Sequence, residues 1–132
     1  MLTVEDILMI KGPDVILAPE STAVRDAARM MAEANVGSLV VEDSSNSPVG
    51  IFTERDLLKR VVAVDKDPGT LTLREAMSTP LKHCSLSDEV SAVLSRMREH
   101  HFRHLAVMEA GKLIGMIGLR DAMAGLLGEA KG

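Results

Sequence analysis

Two short stretches of this chain set an aspartate three residues behind a position that can open a helix. The first is Gly50-Ile51-Phe52-Thr53-Glu54-Arg55-Asp56, where a small residue and an apolar pair run into Thr53-x-x-Asp56. The second, Gly115-Met116-Ile117-Gly118-Leu119-Arg120-Asp121, repeats the pattern with Gly118 in place of Thr53. Thr53 suits the N-cap of a following helix, and Asp56 can reach back to complete a capping box. The same geometry offers a second chemistry. The unpaired N–H groups and positive dipole end of a helix attract phosphate, a threonine hydroxyl can donate to it, and an aspartate can accept from two ribose hydroxyls. A motif this short is weak alone, so its surroundings decide between cap and ligand site.

Other reactive residue types form weaker patterns. His100, His101 and His104 include an i, i+4 pair that could share a metal on one helix. The expected helix ends near His100, which separates them, and no acidic or thiol partner follows at useful spacing, so no metal site is predicted. Cys84 beside His83 belongs to no recognisable triad, and no catalytic residues are predicted. Arg55 and Arg120 read as solvated or partner-facing.

The elements that must position these residues follow from periodicity. Thr3-Val4-Glu5-Asp6 is a capped helix start with Val4, Ile7 and Leu8 on one face, closed by Gly12-Pro13. Val15-Ile16-Leu17 reads as a strand stopped by Pro19. A helix from Ser21 as N-cap carries Val24, Ala27, Ala28, Met31 and Ala34 and ends at Asn35 and Gly37. Leu39-Val40-Val41 is a strand buried on both faces, since it does not alternate with polar residues. A polar turn, 43–48, returns it to Val49–Phe52, and the helix begun at Thr53 carries Leu57, Leu58, Val61 and Val62. Asp65-Lys66-Asp67-Pro68-Gly69 is a linker, after which the pattern restarts. Thr72 matches Thr3, Ser87 matches Ser21, and Leu105-Ala106-Val107 matches Leu39-Val40-Val41, so the agreement runs along a whole unit.

The chain is therefore an internal duplication: repeat 1 at 1–64, linker at 65–72, repeat 2 at 73–132. Each repeat is a β-α-β-β-α unit of an α+β fold, a small three-stranded sheet with helices on one face. Two such units are expected to bury their bare sheet faces against each other about a pseudo-twofold axis, leaving a cleft where the two junctions approach.

Composition narrows the function. Of 132 residues 46% are hydrophobic, with two Phe, no Trp and no Tyr, so aliphatic residues and nine Met must fill the core. A net charge of −4, without a basic run, disfavours nucleic-acid polymers. One cysteine, no leader-like N-terminus and no apolar run of membrane-spanning length lead us to expect a soluble cytoplasmic protein. The apolar run Ala122-Met123-Ala124-Gly125-Leu126-Leu127 suggests cover by a second copy.

The chain resembles the tandem cystathionine-β-synthase (CBS) domain pair, or Bateman module, over nearly its whole length. The resemblance lies in Thr3-Val4-Glu5-Asp6-Ile7 with Leu73-Arg74-Glu75-Ala76-Met77, in Val36-Gly37-Ser38-Leu39-Val40-Val41 with Phe102-Arg103-His104-Leu105-Ala106-Val107, and in the two Gly-to-Asp stretches. It implies a regulatory module that binds an adenosine-containing ligand (AMP, ADP or ATP, otherwise S-adenosylmethionine or NAD) between the repeats, commonly as a homodimer. It further implies that Thr53 contacts phosphate or ribose, Asp56 and Asp121 hold ribose, Ile51 and Phe52 line the base pocket, and Arg103 and His104 face the phosphates. Gly118 departs from the family's Thr or Ser and lacks the hydroxyl, and repeat 1 has Gly37 and Ser38 where repeat 2 has the basic pair. One good site rather than two equal ones is expected. The alternatives are a ligand-independent dimerisation scaffold and, in last place, an enzyme.

Overall fold

A computed structural model of the chain describes residues 1–13 and 15–131, with side chains through Gly128. Helix α1 (Val4–Lys11) is followed by strand β1 (Leu17–Pro19), helix α2 (Val24–Ala34), strands β2 (Ser38–Glu42) and β3 (Pro48–Thr53), helix α3 (Glu54–Leu57) and a π-helical turn (Leu58–Val62). Helix α4 (Leu73–Ala76) then restarts the series with strand β4 (His83–Cys84), helix α5 (Val90–His100), strands β5 (His104–Glu109) and β6 (Lys112–Gly118) and helix α6 (Leu119–Lys131). The strands form two three-stranded sheets, ordered β1-β2-β3 and β4-β5-β6. In each, the first pair is parallel and the second antiparallel, one crossover plus one hairpin, as the duplicated β-α-β-β-α pattern requires.

Several local expectations need correction. Strand β1 begins at Leu17 rather than Val15, and Pro19 is its last residue; β1 lies at the sheet edge, where a missing N–H is tolerated. Ser21 and Ser87 are not caps. Helices α2 and α5 start later, behind Ala23 and Glu89, and neither has a side-chain cap. Backbone carbonyls from elsewhere replace it: Val24 N–H donates to Leu71 O at 2.8 Å, and Val90 N–H donates to Leu2 O at 3.0 Å. The helix after Thr53 lasts four residues before the π-helical turn widens it, so Val61 is buried while Leu58 and Val62 are exposed.

These borrowed caps bear on how the chain packs. One compact unit is Val15–Leu81; the other joins Met1–Asp14 to Lys82–Gly132. The repeat boundaries at 64 and 73 are therefore lines in the sequence, and the packing units cross them. In the first unit α4 contributes Leu73 and Ala76 to a core with Val24, Ala27 and Met31 of α2 and Leu39, Val41 and Phe52 of the sheet. In the other, α1 contributes Val4, Ile7 and Leu8 to a core with Val90, Val93 and Met97 of α5 and Leu105, Val107 and Ile117 of the sheet. The intervening residues Val40, Ile51, Ala106 and Met116 point to the opposite sheet faces by the strand alternation and are also buried, which fits the unbroken apolar runs.

Both short helices are fixed by capping boxes. The Asp6 carboxylate accepts from Thr3 N–H at 2.9 Å, and the Glu75 carboxylate accepts from Thr72 N–H at 3.1 Å and from its hydroxyl at 2.9 Å. These backbone and hydroxyl donors hold both carboxyls below their ordinary range.

Candidate functional site

The first junction is built where β3 passes into α3. Ser38 pairs with Thr53 across the sheet, and Glu54 N–H donates to Gly37 O at 3.0 Å, so residues 37–38 and 53–56 lie together. A Cβ on Gly37 would meet the Glu54 carboxylate, the end of an exposed side chain that can swing aside. Thr53 caps α3. Its hydroxyl accepts from Asp56 N–H at 3.1 Å and donates to Asp56 Oδ2 at 3.1 Å, while Thr53 N–H donates to the same oxygen at 3.0 Å. Ser78 Oγ donates to Asp56 Oδ1 at 2.8 Å, and Arg60 Nε stands 3.5 Å from it. Asp56 is 7% exposed, a buried carboxylate whose two oxygens are both engaged. Ser78 was invisible to sequence reasoning. It arrives because residues after α4 cross β3, with Ser78 N–H donating to Ile51 O at 2.8 Å and Ile51 N–H donating to Ser78 O at 3.1 Å. Gly50 admits that crossing, since a Cβ would meet Met77 Sδ at 2.7 Å and Ser78 O at 2.8 Å. Ile51 is nine-tenths buried beside Ser78, whereas Phe52 is wholly buried in the core beneath α2.

The second junction, where β6 passes into α6, has the same frame and other contents. His104 pairs with Gly118, Leu119 N–H donates to Arg103 O at 2.8 Å, and Asp121 Oδ2 accepts from Gly118 N–H at 2.9 Å. Arg103, His104, Gly118 and Asp121 are thus neighbours, with the Arg103 side chain exposed and His104 half-buried. Without a hydroxyl at 118 only the backbone half of the box forms. Lys11, a residue the spacing did not single out, fills the gap: its Nζ donates to Met116 O at 2.7 Å and lies 3.3 Å from Asp121 Oδ2. Where the first junction has the hydroxyl of Ser78 and the guanidinium of Arg60, the second has the Lys11 ammonium.

The other reactive residues are held apart. His100 ends α5 and stacks on Phe102 with ring centroids 5.9 Å apart, His101 is the left-handed C-cap at φ 57°, and His104 opens β5. Among the described residues no three His, Cys, Asp or Glu side chains gather as metal ligands would. Cys84 is buried within its sheet, and desolvation, reinforced by Asp88, pushes its thiol up to about 12. A thiol so protonated at neutral pH is no nucleophile. No helix among the described residues is long and apolar enough to cross a membrane.

The paired junctions and duplicated sheets have counterparts among known proteins. The CBS domain model matches residues 4–63 and again residues 73–128. The chain belongs to the CBS-domain family. Two matches in one chain make it a tandem CBS pair, as the repeated motifs implied. A CBS-domain protein from Burkholderia ambifaria has the same fold at TM-score 0.91 and 30% identity, over 96% of this chain and 95% of that one. A CBS-domain protein from Pyrobaculum aerophilum, solved in complex with AMP, matches at TM-score 0.83 and 29% identity, over 99% of this chain and 100% of that one. An uncharacterised 17.7 kDa protein of Acidianus ambivalens is 37% identical over 114 residues, 86% of this chain and 68% of that protein.

Proposed function

We propose that this CBS pair is a cytoplasmic, non-catalytic sensor of an adenine nucleotide, AMP, ADP or ATP, that modulates a partner protein. The observation that carries the reading is the AMP held by the Pyrobaculum CBS protein, whose fold is matched along almost the whole of this chain. The ligand engages the strand-to-helix junctions: Asp56 and Asp121 accept from ribose hydroxyls, Thr53 and the α6 N-terminus with Gly118 meet phosphate or ribose, Ile51 with Phe52 behind it flanks the base, and Arg103 and His104 face phosphate. A carboxylate offers four lone-pair directions, so Asp56 can accept a ribose hydroxyl if Ser78 or Arg60 yields its place. Self-association accompanies this function. Met9 and Ile10 of α1 and Met123 and Leu127 of α6 are exposed on two helices that pack together, and a second copy would cover them.

A second reading, a ligand-independent scaffold, draws support from the saturation of Asp56 by its own cap, Ser78 and Arg60. One experiment separates the two. The chain has no Trp or Tyr, so an adenine chromophore stands out in its ultraviolet spectrum. Protein dialysed after purification, or after loading with AMP, should retain an adenine band that Asp56→Asn and Asp121→Asn together abolish while the fold persists. A spectrum that stays blank after loading at millimolar AMP would leave the scaffold.

A further inference from the structure

The two junctions differ most in the residue that reaches the aspartate from the short helix packed beside each sheet. Helix α4 ends at Ala76, Met77 is already extended, and Pro80 bars helical geometry at Thr79, so the chain brings Ser78 to Asp56. Lys11 occupies the position of Pro80 when Thr3 is set on Thr72. With no proline before Pro13, α1 continues to Lys11, and its last turn delivers an ammonium to Met116 O and Asp121 Oδ2. An ammonium has three donors, and these two contacts use two of them among the described residues. The Lys11 side chain is 28% exposed and that of Asp121 is 31% exposed, so the pair faces solvent, whereas the Asp56 side chain is 9% exposed. Asp121 Oδ1 carries no hydrogen bond or ion pair among the described residues, while both oxygens of Asp56 are committed.

Together these observations separate the two junctions: both oxygens of Asp56 are engaged, although Arg60 also stands beside it, whereas Asp121 keeps one oxygen unengaged among the described residues next to the Lys11 ammonium. We propose that Lys11 is the specificity-determining residue of this junction, an ammonium that reads the charge of the phosphate chain on a nucleotide whose ribose is held by Asp121. The inference rests on the nucleotide reading above and adds its charge selectivity. A solvent-facing ion pair such as Lys11–Asp121 is worth little by itself, so Lys11 can keep Met116 O and turn its remaining donors to phosphate without a large loss. A hydrogen bond to an ionised partner is stronger than one between neutral groups, and the gain grows with ligand charge.

The test is calorimetric titration of the full chain, wild type, Lys11→Met and Lys11→Arg, with adenosine, AMP and ATP. Wild-type affinity should rise from adenosine to ATP. Lys11→Met should weaken ATP about tenfold, the worth of one charge-assisted hydrogen bond, and leave adenosine within about twofold; Lys11→Arg should keep the preference. Equal weakening of all three ligands would mean that Lys11 only braces the fold, and unchanged affinities would place the ligand elsewhere; either overturns the proposal. Silence of the wild-type protein toward all three would instead overturn the nucleotide reading on which it rests.

Discussion

Gly118 isolates the worth of one hydroxyl. In the first junction Thr53 gives Asp56 two donors and accepts the Asp56 N–H, and in the second Asp121 has the Gly118 N–H alone from the equivalent residue. The space for a side chain exists, because a Cβ on Gly118 would lie 3.3 Å from Asp121 Oδ2 and 3.6 Å from His104 Cδ2, neither of them backbone. The Asp121 carboxylate needs to shift by only a few tenths of an ångström. Gly118→Thr should therefore complete the box and raise stability by roughly a few tenths of a kcal/mol, seen as a midpoint shift in urea with unchanged slope. A fall in stability would mean that the Lys11 pair cannot tolerate the shift. The capping residues themselves were legible in the sequence, because Thr-x-x-Asp spacing encodes a local contact. Ser78 and Lys11 were not, because each reaches its aspartate through a packing contact between distant segments, 22 and 110 residues away in sequence.

At the scale of elements, the two sheets take the same crossing segment at different distances. Residues 77–79 run across Gly50 with the Ser78 carbonyl 2.8 Å from a built Cβ, whereas Gly115 faces Pro13 O at 3.2 Å and the Leu8 methyls from 3.3 Å. At 2.8 Å the backbone hydrogen-bonded to Ile51 cannot retreat, whereas Pro13 O and the Leu8 methyls, at 3.2 Å and beyond, need to give by only a few tenths of an ångström. Adding the same methyl at both places keeps the chain-entropy gain of Gly→Ala equal, so the difference reports the contact. Gly50→Ala should cost about 2 kcal/mol, in the range of overpacking, and Gly115→Ala less than about 1 kcal/mol, measured by urea unfolding. Equal costs would show that residues 77–79 move freely off the strand. Periodicity predicted the strands, the hairpins and the helices α2 and α5, whose buried faces have the spacing of Val24, Ala27 and Met31. It misplaced the helix starts, because their first N–H groups are satisfied by the distant carbonyls of Leu71 and Leu2 rather than by Ser21 and Ser87.

For the whole molecule, duplication in sequence and division in packing follow different boundaries, and the N-terminal helix is where they part. Residues 1–13 precede the first repeat's sheet, yet Val4, Ile7 and Leu8 are 0%, 3% and 6% exposed in a core with α5, β5, β6 and α6. At about 1.5–3 kcal/mol for each buried aliphatic side chain, their removal withdraws roughly 5–9 kcal/mol. That rivals the roughly 5–15 kcal/mol by which a domain is stable. Deletion of residues 1–13 also strips the Leu2 carbonyl from the start of α5 and Lys11 from Asp121. Hydrogen exchange on the deleted chain should then show protection lost in α5, β5 and β6, which are far from the cut in sequence. Strands β2 and β3 should keep theirs, since Leu39, Val41 and Phe52 retain the partners α2 and α4 in their own core. If the sequence repeat were the unit of packing, the damage would fall on β1, β2 and β3 instead, so the location of the lost protection decides between the two.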